Sequence, residues 1–73
     1  MDEKFKIKSY GYGELALLYF PNSKKKSASV QFRRWIRINQ LLQKELSKNG
    51  YKQGQKLLTP KQVEIFVNIF GEP

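Results

Sequence analysis

The chain contains no cysteine and no histidine. Without cysteine, no disulfide or thiolate metal site can brace a small fold. Without histidine, the usual general base near neutral pH is missing too. Acids are scarce: six, against 14 lysines and arginines. They are Asp2, Glu3, Glu14, Glu45, Glu64 and Glu72. Only Asp2 and Glu3 are neighbours, and no two stand three or four residues apart, the spacing that builds a carboxylate or metal site on a helix. Gly11-Tyr12-Gly13 lacks the third glycine and following lysine of a phosphate-cradling loop. These absences argue against an enzyme and call for no cofactor or metal. Long apolar runs are missing as well. The longest, Leu15 to Phe20, is far short of the ~20 residues that cross a membrane. The amino end, Met1-Asp2-Glu3-Lys4, lacks a signal-peptide layout. A cytoplasmic protein without a membrane partner is the expectation.

What is present is aromatic and basic. With 73 residues there is room for one domain and one small core. Five Phe, four Tyr and one Trp must supply most of its burial. The net charge is +8, which on so short a chain favours polyanionic partners.

The pattern along the chain predicts a mainly α domain of three to four helices with a short two-stranded β-ribbon, residues 4–9 pairing with 55–58. Phe5 and Ile7 alternate with Lys4, Lys6 and Lys8, a period of two that reads as a half-buried strand. Lysines on such a strand also discourage edge pairing. Tyr10 to Gly13 reads as a turn. Glu14 to Phe20 reads as a short helix with Leu15, Leu18 and Tyr19 as its core stripe, ended by Pro21-Asn22. Ser23 to Ser27 reads as a charged loop: either simply solvated, or a mobile arm whose Lys24, Lys25 and Lys26 contact phosphates.

Ala28 to Asn49 is the longest helical stretch, with Ser27 or Ser29 as its cap. Ala28, Phe32, Trp35, Ile36, Leu42 and Leu46 fall on one face. Arg33, Arg37, Lys44 and Lys48 fall opposite, with Arg34 beside them. Val30 and Leu41 lie out of phase on the basic side. Asn39 offers a reason, since it can cap a second helix and split the segment into Ala28–Ile38 and Gln40–Lys48. Asn49-Gly50 stops the segment. Gln53-Gly54-Gln55 reads as a turn leading to Lys56-Leu57-Leu58. Thr59-Pro60-Lys61-Gln62 is the sharpest local signal: an N-cap, a proline at the first helical position and a glutamine to complete a capping box. The last helix then runs from Pro60 to Phe70 and ends at Gly71. Val63, Phe66, Val67 and Phe70 face the core, and Ile65 and Ile69 form a second strip.

The central run Phe32-Arg33-Arg34-Trp35-Ile36-Arg37 carries the strongest functional signal. Its aromatics anchor one side of a helix, and the periodicity thrusts the arginines outward. No acid stands three or four residues from any of them. Arginine forks onto phosphate and reads guanine in the major groove. The candidate nucleic-acid contacts are Lys24, Lys25, Lys26, Ser29, Arg33, Arg34, Arg37, Lys52 and Lys56. Trp35, at core spacing, reads as a packing residue.

Several motifs together resemble an uncharacterised family of small bacterial proteins defined as a domain of unknown function. They are Tyr10-Gly11-x-x-Glu14-Leu15-Ala16-x-Leu18-Tyr19-x-Pro21, Arg34-Trp35-Ile36-x-x-Asn39, Gly50-Tyr51, Thr59-Pro60-x-Gln62-Val63 and Gly71-Glu72-Pro73. That likeness implies a recurrent stand-alone domain and brings no activity with it. More distantly, Gly13-Glu14-Leu15-Ala16 followed by Phe32 to Ile36 resembles the winged helix-turn-helix of mercury-resistance-type regulators and phage excisionases. That likeness implies that Arg33 and Arg34 touch DNA while Trp35 stays in the core. The loop from Pro21 to Ser27 is longer than the tight turn of that motif. The leading expectation is therefore a helix-turn-helix-like module that binds double-stranded DNA. The rival is a protein-interaction module or homodimer built on Ile65 and Ile69, with Leu41 and Val30 as further out-of-phase apolar residues, since leftover apolar surface often marks an interface.

Overall fold

The computed structural model describes residues 5–73. The elements in order are β1 (Tyr10–Gly11), α1 (Tyr12–Tyr19), α2 (Lys25–Ile38), α3 (Gln40–Lys48), β2 (Leu57–Leu58) and α4 (Pro60–Phe70). The mainly helical reading with one small ribbon is therefore what the chain adopts. β1 and β2 pair antiparallel, Tyr10 opposite Leu58 and Gly11 opposite Leu57.

The amino-terminal half of the ribbon differs from expectation. Of residues 4–9, Lys4 lies outside the described residues, and Phe5 to Ser9 form no strand. The pairing falls instead on Tyr10–Gly11, the segment expected to be a turn. Burial decides this: Leu58 goes fully into the core, so the strand opposite it must run directly into α1. The Tyr12 amide extends the contact by donating to the Lys56 carbonyl at 2.7 Å. Phe5 folds back to stack on Tyr10, their rings 5.3 Å apart.

α1 begins two residues earlier than the periodicity suggested, and the Glu14 carboxylate accepts from the Gly11 amide at 2.8 Å. Its core residues are Leu15 and Ala16. Leu18 is 43 % exposed, whereas Leu17 and Phe20 pack on the core. The stripe turned because a short helix almost wholly apolar has no face that its own sequence prefers.

α2 starts at Lys25, so the expected lysine loop is mostly helix. Neither serine caps it; Lys24 stands at the N-cap with no side-chain bond. Burial of Ala28 against α1 pulls the first turn into register despite its three lysines, with the Ala28 amide donating to the Lys24 carbonyl at 2.8 Å.

Asn39 splits the long segment as its chemistry allows. Its backbone is extended (φ −103, ψ 101), its amide closes α2 on the Trp35 carbonyl at 3.1 Å, and its side-chain oxygen accepts from the Leu42 amide at 2.9 Å. The break leaves Val30 and Leu41 outside, 49 % and 58 % exposed. Gly50, at φ 79, then takes the left-handed turn after α3 that a side chain would resist. α4 has the expected bounds and both halves of its capping box.

The buried side chains form one cluster with contributions from every helix and from Leu58. Phe32 and Phe66 stack at its centre, 4.6 Å between ring centroids. Trp35 lies at its edge, 4.2 Å from Phe70 and 4.6 Å from Phe20. Each fully buried ring contributes roughly 1.5–3 kcal/mol. Ile65 also belongs to this core at 7 % exposure, and Ile69 packs against it. The second apolar strip is thus absorbed into the domain rather than left for a partner. α4 has apolar neighbours on two sides, which its own period could not reveal.

Candidate nucleic-acid interface

Lys25, Ser29, Arg33 and Arg37 stand four residues apart along α2. That spacing makes an inclined row about 18 Å long, at about 1.5 Å per residue. The row borders two clefts. The larger, about 480 Å³, lies between the start of α1, the row and the loop before β2; Lys25, Ser29, Arg33, Tyr51 and Lys56 are among its walls. The smaller, about 350 Å³, lies toward α3 and is lined by Arg33, Ile36, Arg37, Gln43, Ser47, Tyr51 and Gln53. Arg33, Tyr51 and Gln53 are common to both.

The fold thus brings together Lys25, Ser29, Arg33, Arg37 and Lys56. Lys24, Lys26, Arg34 and Lys52 line neither cleft. Arg34 is exposed but points away from the row, because one residue along a helix turns the side chain by about 100°. The three arginines therefore do not form one patch. Lys25 and Lys26 belong to a helical turn rather than a mobile arm.

The ion pairs among the described residues are Lys48–Glu45 at 3.7 Å and Lys61–Glu64 at 3.3 Å, and neither involves the row. Glu14 is the one acid on the clefts, and its carboxylate is engaged by the Gly11 amide.

Two tyrosines missed as site residues frame Arg33. The Tyr12 hydroxyl is buried without a hydrogen-bond partner. Burial, and next the neighbouring Tyr51 phenol, push its pKa up to about 12, while the nearby Arg33 guanidinium pulls the other way. Burial likewise raises Tyr51, again opposed by Arg33. Both phenols are therefore neutral donors at physiological pH. The guanidinium acts on Tyr12 through its charge, without a hydrogen bond of good geometry. Nothing in the spacing of residues 12, 33 and 51 announced this arrangement. Tyr12 and Tyr51 both pack against the core.

Residues 6–73 match the family described as Domain of unknown function (DUF4248), and the chain belongs to that family. No curated protein and no solved structure matches it.

Proposed function

We propose that this protein binds nucleic acid, duplex DNA first, through the Lys25–Ser29–Arg33–Arg37 row of α2 with Lys56 beside it. The supporting observation is that row: cations on one helix face, with no ion pair to any of them among the described residues. Phosphate oxygens are the natural ligands of such a face. The pair α1 and α2, a short helix followed by a basic one, supports the helix-turn-helix reading; α3 then stands between α2 and the ribbon loop that carries Lys52 and Lys56. In this role the protein acts in the cytoplasm; among the described residues no helix is long and apolar enough to cross a membrane.

Neutralising about four phosphates, one for each of Lys25, Arg33, Arg37 and Lys56, gives a log–log salt slope of about −3.6. A filter-binding titration at several salt concentrations measures it. Replacing Arg33 and Arg37 by Ala is expected to flatten the slope by about two, each arginine answering for one phosphate. Arg34→Ala, off the row, is expected to change it less. Absence of binding even in dilute salt would defeat the proposal.

Self-association is a second reading, carried by the out-of-phase residues Val30 and Leu41, with Ile38, rather than by Ile65 and Ile69. Ile38 and Leu41 flank Asn39 at 70 % and 58 % exposure, and Val30 lies on the same helix as Ile38. Sedimentation at high concentration tests it, and a monomer removes it.

A further inference from the structure

We infer that the cleft between α1, α2 and the loop before β2 is a pocket for a terminal phosphate, the phosphomonoester of a nucleotide or of a strand end. The inference deepens the nucleic-acid reading and rests on it only for the strand end. At about 480 Å³ the cleft has the size of a small-ligand site. A concave site of that size suits an end group better than a phosphodiester held on the convex surface of a duplex.

Three cations reach it from separate places: Lys25 in the first turn of α2, Arg33 two turns on, and Lys56 from the loop. Against them stands Glu14, held by the Gly11 amide. A phosphomonoester carries about −1.5 to −2 at neutral pH and so answers this excess better than a singly charged diester.

The lysine is positioned by its surroundings. A Cβ on Gly13 would stand 2.6 Å from the Lys25 Cε and 3.3 Å from its Cγ. The stem of Lys25 therefore lies across the first turn of α1, in space that only glycine leaves open. Lys25 and Lys26 also sit at the positive end of the α2 dipole, with no acid in that turn to offset them. A bound anion relieves that repulsion. Tyr12 lines the same cleft, with its hydroxyl buried beneath the surface.

Two measurements test the pocket. Amide shifts are followed by NMR as inorganic phosphate, thymidine 5′-monophosphate or thymidine is added. Short single strands bearing a 5′-phosphate or a 5′-hydroxyl are compared by fluorescence anisotropy. Phosphate and the monophosphate are expected to move the amides of Ser29, Arg33 and Lys56, and thymidine is not. The phosphorylated strand is expected to bind about tenfold tighter, the effect of one added charge-assisted contact. Lys25→Gln with Lys56→Gln should abolish the preference. Gly13→Ala should weaken it, because the added methyl pushes the Lys25 stem, Cγ as well as Cε, off the first turn of α1. If phosphate moves nothing and the two strands bind equally, the pocket is refuted while duplex binding can still stand. If phosphate and the monophosphate bind but no strand does, the pocket stands and the nucleic-acid reading falls.

Discussion

Gln62 is the one buried polar side chain among the described residues, 1 % exposed, and replacing it should cost more than any exposed polar change. Its oxygen accepts from the Thr59 amide at 3.1 Å and from Gln55 Nε2 at 2.6 Å. Its own Nε2 donates to the Asn49 carbonyl at 3.0 Å. One side chain thus ties the start of α4 to the end of α3 and to the loop before β2. Gln62→Leu keeps the bulk and removes all three bonds. At a net ~1 kcal/mol each, with the partners left poorly satisfied, the loss is about 3 kcal/mol, offset by roughly 1 for the added apolar burial. Thr59→Ala removes only the bond from the Gln62 amide to Oγ1, 3.2 Å long, and should cost about 1 kcal/mol. A domain of this length has roughly 4–11 kcal/mol of stability to lose. Urea denaturation followed by circular dichroism compares the two variants directly. If Gln62→Leu proves no more damaging than Thr59→Ala, the three bonds contribute less than ~1 kcal/mol each and the reasoning fails.

Other outcomes follow from the same contacts. Phe32→Ala empties the centre of the core and should lower the unfolding free energy in urea by about 3–5 kcal/mol. Asn39→Ala removes the α3 cap and should lower the urea midpoint by about 1 kcal/mol equivalent, while Asn39→Asp should be nearly neutral. Burial holds Tyr12 and Tyr19 at about 12, against an ordinary 10.0. Glu72 adds to the Tyr19 shift, and that hydroxyl donates to the Gly71 carbonyl at 2.7 Å. Because the folded state keeps protons that the unfolded chain releases, this stabilisation is complete below pH 10 and is lost as the pH rises through 12. Tyr12→Phe and Tyr19→Phe should flatten that alkaline fall in melting temperature, which separates it from the loss of lysine charge.

Local rules made the helix ends at Asn39, Gly50, Thr59 and Gly71 legible in the chain. Each depends on one or two neighbouring side chains or on a glycine backbone, so no distant residue need be known. The centre of the core was legible too, since Ala28, Phe32, Ile36, Leu42 and Leu46 repeat with the helical period. The basic face of α2 followed as the complement of that stripe.

Three matters were left to the tertiary structure. α1 is apolar nearly all round, so only packing chose Leu15 and Ala16 over Leu18. Ile65 could have faced a partner; its burial depends on what surrounds α4. The ribbon partner of Leu57–Leu58 was settled by a contact across more than forty residues, which no local pattern encodes. The candidate site divides the same way. Composition and period determined that arginines would face outward, because an unpaired guanidinium is costly to bury. Which cations share a cleft, and that Tyr12 and Tyr51 stand beside Arg33, depends on how three separate segments meet in space, and the fold alone decided it.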